Sequence, residues 1–156
     1  MIMTTMMTRA RQVVLALALV LPSVSVMAED VDANGRMPLQ EVLRKLDGQR
    51  FDVRGIEYRE PWWVAVLRTP RGLAMTAGFD GVTAEMREDF PVERLPGTIP
   101  SGLLTASQAL AAAQAAGIGE VQSIRYTDNT FKVVTKAGAA VVIDARSGAI
   151  IPEKQQ

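Results

Sequence analysis

Residues 53–86 read VRGIEYREPWWVAVLRTPRGLAMTAGFDGVTAEM, and residues 121–151 repeat the same pattern as VQSIRYTDNTFKVVTKAGAAVVIDARSGAII. When the two stretches are superposed, their apolar, aromatic and acidic positions coincide: Val53 with Val121, Ile56 with Ile124, Tyr58 with Tyr126, Trp63 with Phe131 and Asp80 with Asp144. A repeat of this length determines both the fold and the number of units. Units of about 50–60 residues are marginally stable alone, so we expect the two copies to pack against each other.

Each copy is preceded by a short amphipathic helix. In residues 38–48 the apolar side chains follow the i, i+3, i+4, i+7 spacing of one helix face, and Gly48 is a natural C-terminal stop. The second helix begins at Thr105, which forms a capping box with Gln108, and stops at Gly117. Its apolar face is mostly alanine, so it can approach a sheet closely but buries little area.

The apolar runs after each helix predict three strands per copy. They lie at 51–58, with a bulge at Gly55, then at 62–69 and 73–79 in the first copy, and at 120–126, 130–136 and 139–143 in the second. Residues 149–151 add a short final strand. The segment 87–102 contains three prolines and is expected to connect the copies without forming strands. The predicted organisation is therefore repeat 1 at 29–86, a linker at 87–102, repeat 2 at 103–152 and a polar tail at 153–156.

Residues 1–28 have the pattern of a cleavable signal peptide. Arg9 and Arg11 precede an apolar run that Pro22 interrupts, and Ala28 ends a suitable cleavage site. The alternative is an uncleaved anchor, but the apolar stretch of about 15 residues is shorter than the roughly 20 that span a bilayer. No cysteine follows the run, which excludes a lipid-anchored lipoprotein. We therefore expect a periplasmic or secreted protein with no stable membrane insertion after cleavage.

The composition limits the classes of function. The chain has 17 basic and 17 acidic residues, and without Arg9 and Arg11 the remainder is slightly acidic, which argues against a nucleic-acid partner. It has no histidine and no cysteine, so the commonest general base, the thiol nucleophile and the soft metal ligands are missing. The acidic cluster at 85–89 has the composition of a solvated loop. We expect no enzyme activity, no metal and no cofactor.

Asp80 and Asp144 occupy the same position in both copies, directly after the last long strand. A calcium or substrate ligand is one interpretation, but neighbouring acidic ligands are absent from the sequence. The favoured interpretation is structural: each carboxylate accepts hydrogen bonds from the backbone of the turn that it opens, and Gly148 supplies a positive φ.

The adjacent tryptophans Trp62 and Trp63 suggest a binding site. Adjacent residues of a strand point to opposite faces, and the match with Phe131 predicts that Trp63 enters the core. Trp62 is then either an exposed binding anchor, together with Tyr58 and Arg68, or a residue covered by the other copy or by the linker. Both alternatives are open at the level of sequence.

The second copy resembles the PepSY domain family in its helix ALAAAQAAGIGEV, its strand pair SIRYTDNTFKVVTKAG and its ending VVIDARSGAII. The first copy departs from the family at Phe79–Thr83 and in its longer hairpin. The resemblance implies an α+β fold of two cystatin-like units, each with one helix packed on a small antiparallel sheet. Such domains occur in protease propeptides and in small envelope proteins, and the family brings no catalytic residues.

Two functional hypotheses follow. The first is a non-enzymatic periplasmic protein that binds a protein partner, such as a peptidase that it inhibits or modulates, or another envelope protein. The second is a sensor that binds a small apolar ligand or a cell-wall fragment between the two repeats. The sequence does not determine the oligomeric state.

Overall fold

The computed structural model describes residue 32 and residues 34–152, and the signal peptide predicted for 1–28 and the tail predicted for 153–156 lie outside the described residues. The elements follow in the order α1 (Leu39–Gly48), β1 (Val53–Arg59), β2 (Trp62–Arg68), β3 (Leu73–Asp80), β4 (Glu93–Thr98), α2 (Ala106–Ala115), β5 (Val121–Thr127), β6 (Thr130–Thr135), β7 (Ala140–Asp144) and β8 (Ile150–Ile151). The three long strands predicted for each copy are present, and the capping box of Thr105 and Gln108 is formed.

The strands of the described residues form one continuous antiparallel sheet of eight strands, in the order β4-β3-β2-β1-β5-β6-β7-β8. The expectation of two cystatin-like units, each with its own small sheet, is therefore wrong. The sheet is joined where β1 pairs with β5, with Ile56 opposite Ile124 and Glu57 opposite Ser123. The joining has a physical reason, because separate sheets would leave the backbone groups of both inner strands unpaired at an exposed edge.

Both helices pack on the same face of this sheet, here called the helix face. The core is continuous across the two halves and includes Leu43 and Leu46 of α1, Ala109 and Ala113 of α2, and Ile124 of the sheet. Helix α1 packs on β1 and β5, and α2 packs on β1, β5, β6 and β7. The helices therefore cover the centre and one side of the sheet, which leaves the helix face of β2 and β3 with little helical cover.

The repeat seen in the sequence is also seen in the side-chain packing. The ring of Tyr58 packs edge-on against buried Trp63, with centroids 5.3 Å apart, and Tyr126 packs against buried Phe131 at 5.6 Å. Trp63 is therefore the core member of the tryptophan pair, as the superposition predicted.

The segment 87–102 is more than a connector. It contains β4, which pairs with β3 and forms one edge of the sheet. The expectation that this proline-rich segment forms no strand was wrong. Pairing of β3 with a partner strand satisfies backbone groups that would otherwise be exposed at the sheet edge.

The register of β1 shifts between Val53 and Gly55, which confirms the predicted bulge. The shifted residue is Arg54, whose side chain is buried and donates hydrogen bonds to the carbonyl oxygens of Leu103 (2.7 Å) and Leu104 (2.8 Å). These bonds attach the segment before α2 to the first half of the sheet.

Candidate ligand cavity

The structure separates the three residues that the sequence suggested as a binding site. Tyr58 is opposite Trp63 and lies on the helix face, whereas Trp62 is opposite Arg59 and lies on the other face. Arg68 is six residues further along β2, which corresponds to roughly 20 Å in an extended strand. Tyr58, Trp62 and Arg68 therefore do not form one surface.

Each of these side chains has a local partner. The guanidinium of Arg36 stacks on the ring of Tyr58 at 4.5 Å, and that of Arg87 stacks on half-buried Trp62 at 5.0 Å. The 87–102 segment thus provides the cover for Trp62. Arg68 donates from Nε to the carbonyl oxygen of Ile99 at 2.8 Å. These contacts are internal, and each holds one chain segment against another.

The two equivalent aspartates have the same hydrogen bonds. The Oδ1 atom of Asp80 accepts from the backbone N–H groups of Val82 and Thr83, both at 2.9 Å. The Oδ1 atom of Asp144 accepts from Arg146 (2.9 Å) and Ser147 (2.8 Å). In each turn these backbone donors lower the pKa of the carboxyl group, because they stabilise its charged form.

Gly148, at the end of the second turn, has a φ of +74°. This is the left-handed conformation predicted for Gly148 from the sequence, and a side chain there would be strained. Asp80 and Asp144 therefore each stabilise a turn, and Gly148 supplies the positive φ of the second turn.

A cavity of about 420 Å³ lies on the helix face of β2 and β3, where α1 does not reach. Its apolar lining is contributed by the strands, by the segment between α1 and β1 and by the segment after β3: Leu67, Met75, Ala77, Phe51, Met86 and Val92. Met86 and Val92 are 46% and 49% exposed, although both are apolar. The cavity is called the β2–β3 cavity below.

The position of α1 accounts for this cavity. Phe51 packs edge-on against Phe79, with ring centroids 5.5 Å apart, and closes the inner side. On the outer side, the backbone of Met86 forms a single antiparallel β-bridge with Phe79, and Val92 directly precedes β4. The segment after β3 therefore lies beside the parts of β2 and β3 that no helix covers. The cavity is the space between this segment and the end of α1.

Polar residues line one part of the cavity, namely Arg50, Asp52, Arg68 and Thr69. The carboxylate of Asp52 accepts two hydrogen bonds from Arg54, at 2.6 and 3.1 Å, and lies 3.8 Å from Nη1 of Arg68. Arg50 is exposed, and its side chain makes no hydrogen bond or ion pair with any residue that the structure describes. This part of the lining consequently carries more positive than negative charge.

This arrangement is suited to binding. Small-molecule sites are usually concave, largely apolar and provided with a few polar groups, with volumes of about 300–1,000 Å³.

Among the described residues, no three acidic, histidine or cysteine side chains converge in a way that could hold a metal ion.

Arg50, Met75, Met86 and Val92 line the cavity but are not among the binding residues that the sequence suggests. Met86 and Val92 lie in or beside a stretch that was interpreted as turn and linker, where isolated apolar residues carry no periodic signal. Arg50 is one of several polar residues after the helix, and nothing in the sequence distinguishes it from the others. One signal was available, because Met86 and Val92 are apolar side chains in a segment otherwise rich in charge and proline.

Comparisons with known proteins do not assign this chain to a family. No family model matches it, and no curated protein matches it. Among solved structures, the crystal structure of a protein from Clostridium difficile 630, described as a "putative lipoprotein", is 15% identical in sequence. The match covers 80% of this chain and 97% of that chain with a TM-score of 0.41, and at that score it carries no argument about fold or function.

Neither α1 nor α2, each with 10 residues, has the length or apolar character to cross a membrane, and the described residues contain no other α-helix.

Proposed function

We propose that this protein is a non-enzymatic binding protein of the periplasm or the extracellular space, and that it holds a small molecule with an apolar body in the β2–β3 cavity. The observation that carries the proposal is the cavity itself, with its apolar lining and its two exposed apolar side chains, Met86 and Val92. Export rests on the signal-peptide pattern of residues 1–28.

The proposal differs from both hypotheses drawn from the sequence. A protein partner was expected to bind through Tyr58, Trp62 and Arg68, and the structure separates these residues. A small ligand was expected between the repeats, whereas the β2–β3 cavity lies within the first half. We therefore keep the hypothesis of a small apolar ligand, with the β2–β3 cavity as its binding site.

The energetic argument is the removal of apolar surface from water. Burying apolar area contributes about 25 cal/mol per Å². A ligand that covers the exposed parts of Met86 and Val92 removes apolar surface of the protein and of the ligand from water, and both contributions increase its affinity. Exposed apolar side chains that border a concave surface are typical of such sites.

The neutral fluorophore N-phenyl-1-naphthylamine provides a direct test, because its emission increases when it leaves water. We expect the purified mature protein to bind it with a one-to-one stoichiometry. Val92→Asp places a carboxylate in the apolar lining, and we expect it to weaken binding about tenfold or more, because desolvating a charge is costly.

Val82→Asp is the matched control. Val82 is 56% exposed, comparable to Val92, but it does not line the cavity. We expect Val82→Asp to bind the probe as the wild type does. No saturable binding by the folded wild type, or an equal loss in both variants, would refute the proposal.

A further inference from the structure

The charges around the β2–β3 cavity indicate the chemistry of its ligand, provided that the proposed function is correct. Arg50, Asp52 and Arg68 line the cavity, and Arg54 forms an ion pair with Asp52. Arg54 is already bound to Asp52 and to two backbone carbonyl oxygens, and Arg68 is bound to the carbonyl oxygen of Ile99. Arg50 is the lining cation that has no partner among the described residues.

The surroundings of Arg50 do not neutralise it. It follows the C-terminus of α1, whose last carbonyl oxygens already accept hydrogen bonds from the backbone N–H groups of Gln49, Arg50 and Phe51. Two acidic residues lie close to Arg50 in sequence, Asp52 after it and Asp47 before it. The carboxylate of Asp47 accepts a hydrogen bond of 2.5 Å from the hydroxyl group of Ser107. Arg50 has a φ of +65°, a conformation uncommon for a residue with a side chain.

A ligand that suits this site has two parts. The apolar lining favours a hydrocarbon or aromatic body, and an unpaired guanidinium favours a carboxylate, sulfonate or phosphate group, which it can bind with two parallel hydrogen bonds. The volume of about 420 Å³ lies near the lower limit of small-molecule sites, which favours a molecule with one apolar chain over a two-chain lipid.

We infer that the β2–β3 cavity binds a free anionic amphiphile with a single apolar chain, and that Arg50 holds its anionic head group. The apolar body lies against Leu67, Met75 and Val92, and the head group remains near solvent beside Arg50. Arg50 is thereby a specificity-determining residue: it selects the charge of the ligand and contributes little to binding of a neutral one.

Two probes with the same aromatic framework separate these contributions. N-phenyl-1-naphthylamine is neutral, and 1-anilinonaphthalene-8-sulfonate is the same molecule with a sulfonate. We expect the wild type to bind the sulfonate more tightly. We expect Arg50→Gln to weaken sulfonate binding by about three- to tenfold, the range for a partly exposed charged hydrogen bond, with neutral-probe binding unchanged.

Three controls sharpen the result. Arg50→Lys keeps the charge and should retain most of the preference for the sulfonate. Arg146→Gln removes an exposed arginine outside the cavity and should change neither affinity. Raising the salt concentration should weaken binding of the sulfonate and leave the neutral probe unaffected.

The chemical class is then tested by displacement. Decanoate should displace the bound neutral probe at lower concentration than decanol, and Arg50→Gln should remove that difference. The protein should not co-sediment with vesicles of phosphatidylglycerol, because the inferred ligand is a free molecule. Co-sedimentation with vesicles, without displacement of the probe by decanoate, would overturn the inference in favour of a membrane surface.

The outcomes separate this inference from the proposed function. If the wild type binds both probes equally and Arg50→Gln changes neither affinity, the assignment of an anionic ligand fails and the apolar site stands. If the folded wild type binds neither probe, both fail. A selective loss of sulfonate binding in Arg50→Gln supports both.

Discussion

Gly78 provides a stringent test of how the segment after β3 is attached to the sheet. It lies in β3 opposite Val64, and the side chain of Phe90 packs directly against its Cα. A Cβ atom at position 78 would lie 2.3 Å from Cγ and 2.7 Å from Cβ of Phe90. These atoms are next to the Phe90 backbone, so rotating the ring cannot relieve the clash and the segment itself has to move.

The expected cost of Gly78→Ala combines two effects. Inserting a methyl group into a packed contact costs about 1–3 kcal/mol, whereas replacing glycine by alanine restricts the unfolded chain and returns about 0.4–1 kcal/mol. We therefore expect a net loss of about 1–2 kcal/mol in the free energy of unfolding. Because Val92 is two residues from Phe90, we also expect weaker binding of N-phenyl-1-naphthylamine.

Urea denaturation followed by circular dichroism measures the first effect, and probe titration measures the second. Gly48→Ala is the matched control, because a Cβ there meets nothing within 4 Å, and it should stabilise the protein by about 0.4–1 kcal/mol. Combining Gly78→Ala with Phe90→Gly removes every Phe90 side-chain atom that clashes, the Cβ included, so the double variant should be more stable than the sum of the single effects by about 0.5–3 kcal/mol. Additive effects, or a Gly78→Ala variant with wild-type stability and binding, would refute the reasoning.

Two further predictions concern the cavity and a turn. Ala77 is buried and lines the cavity, so the larger side chain of Ala77→Leu should project into the cavity and abolish probe binding; a folded variant that still binds would contradict the position of the cavity. The backbone N–H groups of Ser147 and Arg146 lower the pKa of Asp144 in the folded state below its ordinary value of 3.8. The resulting stability is therefore present above that value and is lost as the pH falls through the folded pKa. Asp144→Asn keeps the acceptor oxygen, so its melting temperature should be lower than that of the wild type at neutral pH and should converge with it in strong acid, as thermal unfolding from pH 7 to about pH 2 would show; a difference independent of pH would contradict this account.

The local elements were predictable because they depend on neighbours in sequence. The apolar spacing of α1, the capping box of Thr105 and the strand pattern of each copy all specify short-range geometry, and the structure has them. The burial of Trp63 followed from its match with Phe131. These features need only backbone periodicity and the separation of apolar from polar side chains.

The candidate site was not predictable in the same way. Trp62 is a candidate because an exposed tryptophan is a good binding anchor, but its environment depends on Arg87, which belongs to the segment predicted to be a linker. Arg68 is a candidate from its place near Trp62 in the sequence, but its Nε already donates a hydrogen bond to the carbonyl oxygen of Ile99. Whether a side chain is free or already bound depends on residues far away in sequence.

Local sequence is enough to predict the helices, the six long strands, the internal repeat and the turns opened by Asp80 and Asp144, because hydrogen bonds and apolar faces within short segments specify them. The sharing of one sheet by the two halves, through the pairing of β1 with β5, depends on contacts between segments far apart in the chain. Backbone donors and acceptors are the same in every strand, so the pairing partner is chosen by packing of the whole domain. That packing draws both helices towards the centre of the sheet, and the space left beside α1, between Phe51 and Val92, is the cavity.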